Sequence, residues 1–360
     1  MKKVRFDDFI KLNRGFDLPD SQIEDGEYPV VASTNIKAYH KVYKVEGPMV
    51  VTGRSGSLGT VQYIEGKCWP LNTSLYVKDF KGNNPRYVYY FLMTMHLEQY
   101  NAGAGVPTLN QNHLHSLKIN IHEKSEQKRI ASILSAYDNL IENNTRRIRL
   151  LEQMAENLYK EWFVRFRFPG HEKVEFENGL PKGWKVERYY NVAKITAGGD
   201  RPSIFSRHPT EKCTIPIYSN GLEDDGLYGF TNKAKIRKPC ITISARGTVG
   251  FVCLRRNSFV PIVRLLTVVP NEFLNVYYLY HSSKYNDLEG NGTSQQQLTV
   301  PMLNKRKLLI PSIDLLLLFE KMVKPIYDQI DTLKYQSANL SRQRDLLLPR
   351  LMSGKLEVKE

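Results

Sequence analysis

Cysteine is scarce in this chain of 360 residues: four are present, Cys68, Cys213, Cys240 and Cys253, and no two stand in a Cys-x-x-Cys pair. That spacing excludes a zinc ribbon and offers no disulfide framework, so the thiols are expected to be reduced and structural. Long apolar runs are missing as well. The longest run of leucine, Leu315 to Leu318, is far too short to span a bilayer, and the N-terminal MKKVRFDDF has no apolar signal segment. A cytoplasmic location without membrane contact is therefore expected. Gly53, Gly56 and Gly59 are spaced like a phosphate loop, yet no Gly-Lys-Ser/Thr follows them. Tight strand turns account for them better.

What is abundant is positive charge. Lys and Arg number 51 against 37 Asp and Glu, a formal net charge of +14. Residues 1–122 hold 14 basic and 11 acidic side chains, and residues 183–310 hold 18 and 9. By contrast, residues 126–162 carry six of each sign, and residues 319–352 carry six basic and four acidic groups. The excess thus belongs to globular segments and not to the intervening helical ones, a distribution suited to a polyanion held by domains.

Residues 126–162 organise the chain. No Gly or Pro interrupts them, and apolar residues recur every seven positions: Leu134, Ile141, Ile148, Ala155 and Trp162 on one seam position, Ile130, Tyr137, Leu151 and Leu158 on the other. This is a coiled-coil pattern, with the polar Asn144 as a register-setting layer. A partner seam lies near the C-terminus, with Phe319, Ile326, Leu333, Leu340 and Leu347 at one position and Val323, Ile330 and Leu351 at the other. Ser337 and Arg344 interrupt it, and Pro325 inside it predicts a kink or a later helix start. With Ile130 set opposite Leu351, Asn144 faces Ser337, and a buried hydrogen bond between them is expected.

Ahead of the first seam, short β-like runs alternate with Gly, Pro and Asn: 29–32, 49–52, 59–63 and 74–77. A helix is expected over 87–99. Residues 163–186, with two Pro and three Gly, read as a linker outside any core. The first half then recurs. Tyr28-Pro29-Val30 matches Ile215-Pro216-Ile217, Gly56-Ser57-Leu58-Gly59 matches Gly247-Thr248-Val249-Gly250, Pro70 matches Pro261, and Tyr89-Tyr90-Phe91-Leu92 matches Tyr277-Tyr278-Leu279-Tyr280. A globular domain followed by a long helix is present twice. Since the second domain starts where the first helix ends and finishes where the second begins, antiparallel helices and an approximate two-fold relation are expected. Two basic domains so arranged suit two short duplex sequences separated by an unread gap.

These residues also carry a resemblance. Glu126-Gln127-x-x-Ile130, Tyr137-Asp138-x-x-Ile141, Leu158-Tyr159-x-x-Trp162-Phe163 and Gly179-Leu180-Pro181-x-Gly183-Trp184 resemble the specificity subunit of type I restriction-modification systems over essentially the whole chain. The fold so implied is α/β (α+β): two similar mixed α/β target recognition domains separated by two long antiparallel helices forming a coiled coil, with pseudo-two-fold symmetry. Residues 1–122 and 183–310 would be the target recognition domains, 123–166 and 311–353 the spacer helices, 167–182 a linker and 354–360 a tail. The resemblance further implies recognition of a bipartite, asymmetric site on double-stranded DNA, docking of two methyltransferase subunits and addition of restriction (motor-nuclease) subunits. S-adenosylmethionine would belong to the partner methyltransferase, ATP and Mg to the partner restriction subunit, and no cofactor to this chain.

No catalytic or metal-binding residue is assigned. Asn84-Pro85-Arg86-Tyr87 echoes the methyltransferase Asn-Pro-Pro-Tyr tetrad, but without a glycine-rich donor motif it reads as a turn before a helix. His113-x-His115 lacks neighbouring carboxylates or cysteines. Base-edge chemistry needs Arg, Asn, Gln, Ser or Thr, which singles out Arg54, Ser55, Ser57, Asn72, Thr73, Asn110, Gln111 and Asn112 in the first domain, with His113 at the end of the same run. In the second it singles out Arg246, Thr248, Arg264, Thr293, Ser294, Gln295, Gln296 and Gln297. Helix pairing is assigned to Leu134, Ile141, Asn144, Ile148, Leu151 and Leu158 against Val323, Ile330, Leu333, Ser337, Leu340 and Leu347. The competing class is a stand-alone coiled-coil nucleic-acid-binding or scaffold protein.

Overall fold

The computed structural model describes residues 1–286 and 297–358. The chain divides into two compact units, Met1–Arg146 with Lys334–Glu360, and Arg147–Leu333.

In the first unit, Lys11–Arg14, Ser74–Asp79, Met49–Gly53 and Val61–Ile64 form an antiparallel four-stranded sheet in that order. Met49–Gly53 is buried along its whole length, which is why its sequence, MVVTG, is a continuous apolar and β-branched run without alternation. A three-stranded sheet sets Tyr28–Val31 between antiparallel Ile36–His40 and parallel Trp69–Pro70. Lys2–Arg5 pairs with Lys118–Ile121. Phe6, Phe9, Ile10, Leu12, Tyr87 and Tyr90 are fully buried in the core. The same cluster takes in Ile130 and Leu134 from the first long helix and Leu348 and Leu351 from the second. The start of one helix thus meets the end of the other, so they run antiparallel here.

The second unit repeats this topology strand for strand. Its four-stranded sheet runs Ala193–Ala197, Leu266–Pro270, Cys240–Ile243, Val252–Arg255, its three-stranded sheet Leu227–Thr231, Ile215–Tyr218, Val260–Pro261, and Lys185–Arg188 pairs with Lys307–Ile310. Helix caps repeat too. Asn84 Oδ1 accepts from Tyr87 N at 3.0 Å ahead of Pro85–Thr94, and Asn275 Oδ1 accepts from Tyr278 N at 2.7 Å ahead of Val276–Tyr285. The Asn-Pro-Arg-Tyr tetrad is therefore an N-cap followed by proline in the first turn. Ala155, Tyr159 and Trp162 lie in one core cluster with Phe319, Val323, Ile326 and Ile330, again the end of one helix beside the start of the other.

Several elements depart from expectation. The helix expected over 87–99 stops at Thr94, because His96 takes a left-handed conformation (φ 50°) before a 3-10 turn at Leu97–Tyr100. The first long helix is α-helical over Lys124–Tyr159 and finishes in a π-helical turn, Lys160–Val164. The second starts at Ile313, ahead of Phe319, and runs unbroken through Pro325 to Met352. Burial of Phe319, Val323 and Ile330 offsets the hydrogen bond that proline cannot donate. Residues 163–186 are not a mere linker: Phe163, Phe168 and Trp184 enter the second unit's core, with Trp184 centroids 6.0 Å from Phe163 and 5.5 Å from Phe168. Aromatic area outweighs the Pro and Gly punctuation.

Of the pairing residues, Leu134, Asn144, Val323, Ile330 and Leu333 are buried, whereas Ile141, Ile148, Leu151, Leu158, Ser337, Leu340 and Leu347 are half-buried. Ser337 Oγ is buried with no hydrogen-bond partner among the described residues, so the expected bond to Asn144 is not made. The polar tie between the helices in the first unit is instead Asp138 with Arg344, at 2.6 Å. A charge-assisted bond is the stronger tie. No helix among the described residues is long and apolar enough to cross a membrane.

Candidate nucleic-acid interface

In the first unit, three segments converge where the central Met49–Gly53 strand ends: the 54–60 turn, the 71–73 turn and the 101–110 segment. The amides of Arg54 and Ser55 donate to Thr73 O at 2.8 and 3.0 Å, Gly56 N donates to Pro107 O at 2.9 Å, and Leu109 N donates to Arg54 O at 2.8 Å. Glycine is required at the mouth of the turn, since a Cβ on Gly53 would lie 2.1 Å from Ser57 O. Gly56 and Gly59 take φ of +86° and +92°, which glycine adopts without steric cost. Ser33 Oγ lies 3.0 Å from Ser55 O and 2.9 Å from Thr73 O, so one hydroxyl ties two of the segments together.

The second unit builds the same place. Gly247 and Gly250 have φ of +72° and +86°, Gly250 N donates to Ser244 O at 3.0 Å, and Leu298 N donates to Ala245 O at 3.0 Å. Asn220 takes the tying role. Its Oδ1 accepts from Ala245 N and its Nδ2 donates to Val263 O, both at 2.7 Å. Reasoning from sequence does not reach Ser33 or Asn220. The signal that could have found them is position within the repeat: each stands four residues after the proline of the repeated strand, Ser33 after Pro29 and Asn220 after Pro216.

Most of the candidate base-contacting residues fall on these segments. Arg54, Ser55, Asn72 and Thr73 are half-buried and Ser57 is exposed. Arg54 Nη1 donates to Asn72 O at 3.3 Å, and Asn72 Nδ2 donates to Asp17. Asn110 caps the Gln111–Ser116 helix by accepting from Asn112 N at 2.9 Å. Asn112 and His113 are exposed, while Gln111 Oε1 is buried without a partner among the described residues. His115 is a structural residue, accepting from Leu12 N at 3.0 Å. In the second unit Arg246 is exposed and donates to Gln297 Oε1 at 3.3 Å, Arg264 is exposed, and Thr248 Oγ1 is buried without a partner among the described residues. Thr293, Ser294, Gln295 and Gln296 lie outside the described residues.

Cys68 and Cys240 are inert thiols. All four cysteines are buried, and burial pushes the Cys68 and Cys240 thiols up to about 12. Among the described residues no cluster of three His, Cys, Asp or Glu side chains could hold a metal ion. Lys233, Lys235, Arg237 and Lys238 lie on the segment after Leu227–Thr231; Lys233, Arg237 and Lys238 are exposed and Lys235 is exposed beside them. The arrangement is two hydrogen-bonded loop clusters with different side chains on one scaffold.

Comparison with known proteins gives the same duplication. The profile of the type I restriction modification DNA specificity domain matches residues 1–153 and again 181–332. The MjaIX type I restriction enzyme specificity subunit of Methanocaldococcus jannaschii is 24% identical over 401 residues, covering 96% of this chain and 91% of its own. A putative type I specificity subunit of Mycoplasma pneumoniae is 25% identical over 348 residues, covering 94% and 91%. Among solved structures, the S subunit of a type I restriction-modification system from M. genitalium is similar in fold, with a TM-score of 0.65 at 17% identity, covering 98% of this chain and 96% of its own.

Proposed function

The chain belongs to the type I restriction modification DNA specificity family, and we propose that it is the non-catalytic subunit that reads a bipartite, asymmetric sequence on double-stranded DNA. The observation that carries this reading is the repeated loop cluster: one strand order and one set of glycine turns, but Arg54, Asn72 and Thr73 in one unit where Ala245, Val263 and Arg264 stand in the other. A repeated scaffold with unlike side chains suits two unlike half-sites.

Two methyltransferase subunits dock on this chain in the proposed assembly, and restriction subunits join them for cleavage. S-adenosylmethionine then belongs to the methyltransferase, ATP and Mg to the restriction subunit, and the complex works in the cytoplasm. Reconstitution tests the proposal. The full chain with its methyltransferase should transfer methyl groups to specific duplexes, whereas the chain alone should neither methylate nor cleave. Methyl transfer by the chain alone, or failure to associate with the methyltransferase, would overturn it.

A further inference from the structure

Ile262, Val263, Arg264 and Leu265 form a tight turn, closed by Leu265 N donating to Ile262 O at 3.0 Å. Its central residues have φ of +51° and +60°. Positive φ at both central positions is the geometry that Gly, Asn and Asp normally supply, and a β-branched residue there is an outlier. Val263 and Arg264 nevertheless occupy it. Their neighbours explain only half of the arrangement: Ile262 and Leu265 are buried at 1% and 2% exposure, whereas Val263 is 52% exposed.

The turn is held firmly in this form. Val263 N donates to Gly199 O at 2.9 Å, Arg264 N donates to Gly198 O at 3.1 Å, and Asn220 Nδ2 donates to Val263 O at 2.7 Å. Asn220 Oδ1 accepts from Ala245 N at 2.7 Å, which sets the turn beside the segment bearing Arg246. The corresponding turn of the first unit, Leu71 to Ser74, is closed by Ser74 N donating to Leu71 O at 2.9 Å, but neither Asn72 nor Thr73 has a positive φ. The strain is therefore no requirement of the shared scaffold. An exposed apolar side chain held in a disfavoured backbone conformation gains nothing from core packing, and such strain concentrates at functional sites.

We infer that Val263 and Arg264 are specificity-determining residues of the second unit: Val263 packs on the C5-methyl of a thymine, Arg264 bonds the O6 and N7 of a nearby guanine, and Asn220 is the positioning residue that presents them. This rests on the DNA-reading role proposed above. Apolar contact with the thymine methyl and bidentate Arg contact with guanine are the major-groove chemistry these side chains offer.

The test uses the full chain assembled with its methyltransferase, on duplexes carrying its methylated site with each thymine replaced in turn by uracil, which lacks only the methyl group. The wild-type complex should lose on the order of fourfold in affinity at one thymine, the worth of one methyl group removed from water. Val263→Gly should abolish that sensitivity while leaving the melting temperature equal or higher, since glycine relieves the left-handed strain. Arg264→Ala should relax discrimination at a guanine in the same half-site by about fivefold or more, and Asn220→Ala should weaken both effects, with Asn220→Asp failing to restore the bond to Val263 O. Uracil sensitivity that persists unchanged in Val263→Gly overturns the inference, as does a wild-type complex indifferent to every thymine methyl. A wild-type complex that methylates no specific site would instead overturn the DNA-reading role itself.

Discussion

Asp138 and Arg344, one from each long helix, meet at 2.6 Å in the first unit, with side chains only 17% and 20% exposed. The Tyr90 hydroxyl also donates to Asp138, so one carboxylate joins both helices to the globular part of the unit. Burial alone would pull the Arg344 guanidinium down, but the carboxylates of Asp138 and Asp345 hold it above its ordinary range. Asp138→Ala should lower stability by about 1.5–3 kcal/mol, the worth of hydrogen bonds to a charged group. Replacing both partners by leucine should cost less than the sum of the single changes. A double-mutant cycle on denaturant unfolding measures the difference.

Ser337 gives the opposite sign. Its Oγ is buried without a partner among the described residues, so Ser337→Ala should be neutral or stabilising, by up to about 1 kcal/mol. A loss of more than that in thermal unfolding would mean that the hydroxyl is bonded after all.

The pH dependence of the second unit turns on His281. Its Nε2 lies 3.0 Å from the Tyr327 hydroxyl, and burial, with help from Lys284 and against Glu156, pushes the imidazole from 6.5 down to about 3. Unfolding lets this ring take up a proton that the folded ring refuses. Its contribution is therefore complete above pH 6.5 and is lost as pH falls toward 3, at a slope approaching about 1.4 kcal/mol per pH unit. Trp162 and Trp184 lie in the same core and report the transition by fluorescence. His281→Gln should flatten the acid limb over roughly the first two pH units below the unfolded value; an unchanged slope would assign the effect to other groups.

Salt dependence tests the charge distribution. Lys233, Lys235, Arg237 and Lys238 cluster on one segment, and each one that touches a phosphate contributes about 0.9 to the slope of log affinity against log salt. Replacing all four by alanine should therefore flatten the slope by about 3–4 while leaving the recognised sequence unchanged. Equal slopes before and after would remove this segment from the DNA-facing surface.

The duplication and both long helices are legible in the sequence because each leaves a periodic or repeated trace: the heptads from Ile130 and from Phe319, and the matched Gly56 to Gly59 and Gly247 to Gly250 turns. Helix ends are less legible, because His96 breaks a helix through a backbone conformation that its residue type does not announce. Phe163, Phe168 and Trp184 read as linker because Pro and Gly surround them, although their ring area places them in a core. Ser33 and Asn220 are invisible for a different reason: their role is a hydrogen bond to backbone groups far away in sequence. Val263 escapes notice because an apolar residue beside a buried strand reads as core, and only its positive φ and exposure set it apart.

That two like units read two unlike half-sites is tested most directly by sequencing modified bases across the genome of a host carrying this chain with its methyltransferase. The expected result is a single motif in two specified parts, unlike each other and separated by an unread gap of fixed length, with Val263→Gly altering one part and leaving the other intact. One continuous or palindromic motif, or a variant that changed both parts together, would contradict it.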